Sequence, residues 1–142
     1  MRVDLFNTLK LLRAISPGVG ASDNTPKVSQ IIDTQGFDAL LFGIATGVLA
    51  DPDAAFTVLV EDGDNAALTD AAPVEDQYLL GTEAGASFTF ADDHTTKKIG
   101  YRGIKRYVRL TITPANNTGA WDIGALAILG ASRDLVAFGV LG

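Results

Sequence analysis

"KRYVRLTIT", residues 105–113, reads as a β-strand. On an extended backbone Val108, Leu110 and Ile112 point one way, and Tyr107, Arg109, Thr111 and Thr113 point the other. Pro114 has no N–H to continue a ladder, and "ANNTG" (115–119) supplies turn residues behind it.

The same pattern recurs outward along the chain. "AFTVLVEDGDN" places Phe56, Val58 and Val60 on one face and ends in an acidic glycine turn. "FDALLFGIATG" (37–47) is apolar on both faces, which predicts a central or doubly covered strand. "VSQIIDT" (28–34) precedes it across Gln35–Gly36, so the two are expected to form a hairpin. "WDIGALAILGA" (121–131) reads as a strand because Gly124 and Gly130 would each weaken a helix by about 1 kcal/mol. Shorter candidates are "DQYLLGT" (76–82), "SFTFA" (87–91) and "KKIGYRG" (97–103); "VDLFNTLKLL" fits an amphipathic helix or a strand and is taken as a strand. "GDNAALTDAAPVED" (63–76) reads as a long acidic loop. About eight short strands separated by turn residues predict an all-β chain, a single antiparallel β-sandwich or jelly roll over residues 1–142. The expected core is Leu40, Phe42, Phe56, Val58, Val108, Leu110 and Ile112.

A chain of 142 residues with 47% hydrophobic content can bury a core, and with no cysteine it does so without disulfides. No apolar run reaches the roughly 18 residues that a spanning helix needs. Asp4, Lys10 and Arg13 break the apolar run of the N-terminus, so a signal peptide is not expected. The net charge is −6, but the charges are segregated. Thirteen acids and no Lys or Arg lie between Lys27 and Lys97, and six cations with no acid occupy residues 97–109.

Motifs for chemistry fail one by one. His94 is the single histidine, and its neighbours Asp92 and Asp93 would face opposite sides of a strand, which suits a solvated turn better than a metal. No serine sits in G-x-S-x-G. An EF-hand counted from Asp62 would need Ala66, Leu68 and Pro73 as ligands. No phosphate-binding glycine motif occurs. The reading is a binding or structural module, not an enzyme, with no cofactor and no metal.

Residues 97–109 admit three readings: a nucleic-acid site, cations paired with the domain's own acids, or a contact with another protein or another copy of this chain. Thirteen acids oppose a polyanion, and Arg and Tyr are enriched at interface cores. The third reading is adopted, with Tyr101, Arg102, Lys105, Tyr107 and Arg109 as contact residues and no nucleic acid or membrane partner. Arg106 falls on the opposite face of the strand and is expected to pair internally. "DLVAFGVLG" (134–142) reads either as the domain's own final strand or as a docking tail, and in the second case Leu135, Val136 and Phe138 are further contact candidates. Segments 1–27 and 131–142 are read as possible contact arms.

The "GFDALLF" strand, the "EDGD" strand end and "KKIGYRGIKRYVRLTIT" together resemble the head decoration or cement proteins of tailed phages, some of them jelly rolls. The likeness runs from about Ile31 to Pro114. It is most specific at Gly100–Tyr101, Gly103 and Arg106–Tyr107–Val108–Arg109. It implies a homo-oligomer, a dimer being favoured, made in the host bacterial cytoplasm and carried on the capsid exterior of the virion, where it binds and cross-links the major capsid protein. The alternative is a virion-surface lectin-like or host-binding module using Trp121, Tyr78, Tyr101 and Tyr107.

Overall fold

The computed structural model of the chain describes residues 4–132. Its strands are β1 (Lys10–Val19), β2 (Lys27–Val28), β3 (Ile32–Asp33), β4 (Phe37–Leu49), β5 (Ala55–Gly63), β6 (Ala72–Pro73), β7 (Leu79–Leu80), β8 (Phe88–Thr89), β9 (Thr96–Tyr101), β10 (Tyr107–Ala115) and β11 (Trp121–Ser132). One helical turn, α1 (Glu83–Ala86), is capped by Thr82, whose hydroxyl accepts the Gly85 N–H.

Two antiparallel sheets face each other. One has the order β1-β11-β4-β9-β7; the other runs β2-β10-β5-β6, with β3 also on β10 and β8 also on β5. If β2 and β3 count as two halves of one segment on β10, the pairs β1·β11, β2/β3·β10, β4·β9 and β5·β6/β8 nest inside one another. This is a long hairpin rolled up, the wiring of a jelly roll. The fold is the all-β sandwich expected from the strand pattern.

All seven expected core residues are buried, with Val108, Leu110, Ile112 and Phe42 at 0% exposure. Phe56 sits at the centre, stacked on Phe88 and tilted against Trp121, each at 5.0 Å between ring centroids. Trp121 is itself fully buried, and its indole N–H donates to the Ala21 carbonyl at 3.0 Å. A side chain at Gly20 would overlap that indole, so glycine is required where the chain passes over it.

Two readings of the chain order are corrected. Segment 28–34 forms no hairpin with residues 37–47: β2 and β3 lie on β10, and β4 belongs to the opposite sheet. Gly36, at φ +89°, turns the chain across the gap between sheets. The segment is also broken at Ser29, whose hydroxyl accepts the Leu110 N–H in place of a backbone carbonyl. In the N-terminal stretch, residues 6–8 form a turn held by Asp4, whose carboxylate accepts the Asn7 N–H at 3.1 Å. The strand begins only at Lys10, so β1, inside the 1–27 segment, is the edge strand of the five-stranded sheet. That edge is partly closed, because Gln30 donates its backbone N–H to the Ala14 carbonyl and its side-chain amide to the Arg13 carbonyl.

Candidate functional site

The basic segment comprises β9, the loop 102–106 and the start of β10. Tyr101 ends β9 pointing inward, only 5% exposed. Its hydroxyl donates to Asp62 at 2.7 Å and accepts the Lys105 N–H at 3.0 Å, so the loop is wrapped around it. Gly103 makes this possible, since a Cβ there would overlap the phenol ring. Burial, and then the Asp62 carboxylate, push the Tyr101 phenol well above its ordinary range.

Most of the remaining cations are held by the domain's own acids. Lys97 pairs with Asp92 at 3.4 Å and Lys105 with Asp64 at 2.7 Å. Arg109 pairs with Glu61 at 3.0 Å, from the adjoining position on β5. Arg106 grips both oxygens of Asp33, at 2.8 and 2.9 Å, and also donates to Gln35. The Arg106 hydrogen bonds hold the Asp33 carboxyl below its ordinary range, and the Asp64 bond raises Lys105.

The expected contact residues therefore separate. Tyr101 is inside and has no face to offer a neighbour. Lys105 and Arg109 are engaged within the domain, and Tyr107 is half-buried beneath the Arg106 guanidinium, which lies 5.0 Å from its ring centroid. Arg102 is exposed, its side chain donating to the Gln77 carbonyl and its backbone N–H to the Tyr78 carbonyl, next to Ile104 at 88% exposure. Leu135, Val136 and Phe138 lie outside the described residues.

Lys98 and Arg13 have no ion pair among the described residues, and both lie on the outer face of the five-stranded sheet. Register places Arg13, Leu126, Gly43 and Lys98 side by side across four strands. The next outward row is Leu11, Ile128, Leu41, Gly100 and Leu80. Leu11, Leu80 and Leu126 are 60%, 54% and 46% exposed. Two shallow grooves of about 550 and 570 Å³ lie on this face and meet at Ile128. Sequence reasoning overlooked this surface. The signal was present in 37–47, because a strand apolar on both faces must leave one uncovered in a two-layer sandwich.

The acids beside His94 are used structurally. Asp93 accepts the Leu49 N–H at 2.9 Å, and Asp92 accepts the Thr89 N–H and pairs with Lys97. Among the described residues no cluster of three or more metal-ligating side chains occurs, and no helix is long and apolar enough to cross a membrane.

No protein-family model matches the chain, and no curated protein does. Solved structures of similar fold exist at low identity. One is a structure of infectious bursal disease virus, Gx strain, at 10% identity and a TM-score of 0.48, matching 87% of this chain and 32% of the viral one. Another is the SPBc2 prophage-derived protein YomS, at 11% identity and 0.43, matching 84% and 92% of the two chains. A third is the CBM36-1 domain of a multidomain xylanase from the hindgut metagenome of Trinervitermes trinervoides, at 9% identity and 0.46, matching 87% and 98%. This chain spans about a third of the viral chain.

Proposed function

We propose that this protein is a non-enzymatic structural component of a phage virion that binds the outside of the capsid and ties neighbouring major capsid protein subunits together. The observation that carries this reading is the way the surface divides. Most cations of the basic segment are consumed by internal pairs, while Leu11, Leu41, Leu80, Leu126 and Ile128 lie together on one outward sheet face. A contiguous exposed apolar face is a surface that soluble monomers avoid and binding proteins keep. Its central strands β11, β4 and β9 are each paired on both flanks, so it is presented stiffly. Contact with assembled subunits alone, and not with free ones, stabilises the shell by mass action.

The lectin-like alternative loses its best platform, because Trp121 and Tyr101 are buried and cannot stack on a sugar ring.

The test mixes the purified chain with shells assembled from the major capsid protein of the same head-gene module. Saturable co-sedimentation and a raised shell-rupture temperature are expected. Absence of co-sedimentation at saturating protein would overturn the reading.

A further inference from the structure

We propose that the outer face of the five-stranded sheet is a docking surface for an extended, acidic and apolar segment of another protein; this deepens the capsid-binding reading and rests on it. The shape argues for an extended occupant. Along β4, Gly43, Ala45 and Gly47 form a floor with no side chain beyond Cβ, and Leu126 and Ile128 of β11 stand beside it. From Gly43 to Gly47 this floor runs roughly 13 Å, the reach of about four extended residues, with Leu41 at its end. A chain laid there can press alternate apolar side chains onto glycine and alanine.

Charge specifies the rest. Arg13 and Lys98 are both exposed, neither is in an ion pair among the described residues, and they are separated by three strand spacings, roughly 14 Å, across the same row. They stand on opposite sides of the glycine floor. Asp122, at the far end of the face, is the one acid lining it among the described residues, with Gly47 packed closely against its side chain. In a chain of net charge −6 this face is a cationic exception, and it fits carboxylates flanking an apolar stripe. Binding in this mode lies across the sheet and leaves the strand edges unused.

The experiment selects binders to the immobilised full chain from a displayed library of random linear peptides, then measures the winners against variants by fluorescence anisotropy. Gly43→Gln fills the floor at a position where an added Cβ meets nothing within 4 Å, so the fold should keep its melting temperature. The second variant is Arg13→Glu/Lys98→Glu. The expected result is a consensus of apolar residues with Asp or Glu, and a loss of affinity of about tenfold or more in both variants. The proposal is overturned by a consensus lacking acids or by affinity unchanged in either variant. It is also overturned if the chain is a dimer that Gly43→Gln dissociates, since a second copy then owns the face. Binding that appears only after removal of residues 133–142 overturns it too, since that segment is then the occupant. Shell co-sedimentation separates the two readings. If Gly43→Gln still binds shells, the docking face is wrong and the capsid reading stands; if wild type binds the peptides but no shell, the reverse holds.

Discussion

Tyr101 shows how a residue chosen for a contact can instead organise the loop that presents one. Its hydroxyl satisfies the Lys105 N–H and is itself bound by Asp62, so three chain segments meet at one oxygen. Tyr101→Phe leaves the ring packed but orphans a backbone donor and a carboxylate. The expected cost is about 1–2 kcal/mol, roughly 5 °C of melting temperature in a domain of this size. Gly103→Ala should cost at least as much, because the methyl group must displace the phenol. Scanning calorimetry of the two variants checks this, and melting equal to wild type in both would remove Tyr101 from its organising role. Buried Tyr and interface Tyr look alike in a sequence. What separates them is the glycine two residues on, whose bare Cα lets the chain fold back over the ring.

At the scale of elements, alternation was legible wherever one face of a strand is dry and the other wet. β10 obeys it along its length and β5 as far as Glu61, with Leu110 opposite Val60 and Ile112 opposite Val58 on the buried side of the ladder. It failed in two places for different physical reasons. At 28–34 the strand is cut where the Ser29 hydroxyl accepts the Leu110 N–H, and in a rolled hairpin the segments adjacent in sequence go to opposite sheets. At 37–47 the apolar content is on both faces because the second face is an exposed surface. A paired substitution separates these two kinds of apolar position. Val108→Asp puts a charge at 0% exposure between β3 and β5 and should abolish soluble expression. Val48→Asp, at 53% exposure on β4, should express and melt within a few degrees of wild type. Equal yields of the two proteins would contradict the placement of β10 in the core.

For the whole molecule, the segregated charge of the sequence resolves into contacts that sew the roll together. Asp33, Glu61, Asp64 and Asp92 come from the acidic stretch, and each meets a cation from residues 97–109. The pattern was visible in the sequence, but the pairing was not, because nested hairpin wiring decides which acids reach which bases. Lys105–Asp64 and Arg106–Asp33 are exposed and therefore individually weak, Lys97–Asp92 and Arg109–Glu61 are partly buried, and the exposed pairs register most clearly through pH. Asp33 is held below its ordinary range first by Arg106, Asp51 by the Thr118 N–H, and Asp70 by the Asp64 N–H. A depressed carboxyl means that the unfolded chain takes up protons more readily, so its stabilisation is complete above about pH 4 and drains away as pH falls through the folded values. Tyr101, raised by burial, and Lys105, raised by Asp64, work in the other direction. Their stabilisation is complete below about pH 10 and is lost as pH climbs through the raised values. Melting temperature plotted against pH should therefore form a plateau that falls at both ends. Asp33→Asn should flatten the acid limb and leave the alkaline one, and Tyr101→Phe should do the opposite from a lower plateau. A melting temperature constant down to about pH 2, or limbs that ignore these two substitutions, would mean that the pairs between the acidic and basic stretches do not hold the roll closed.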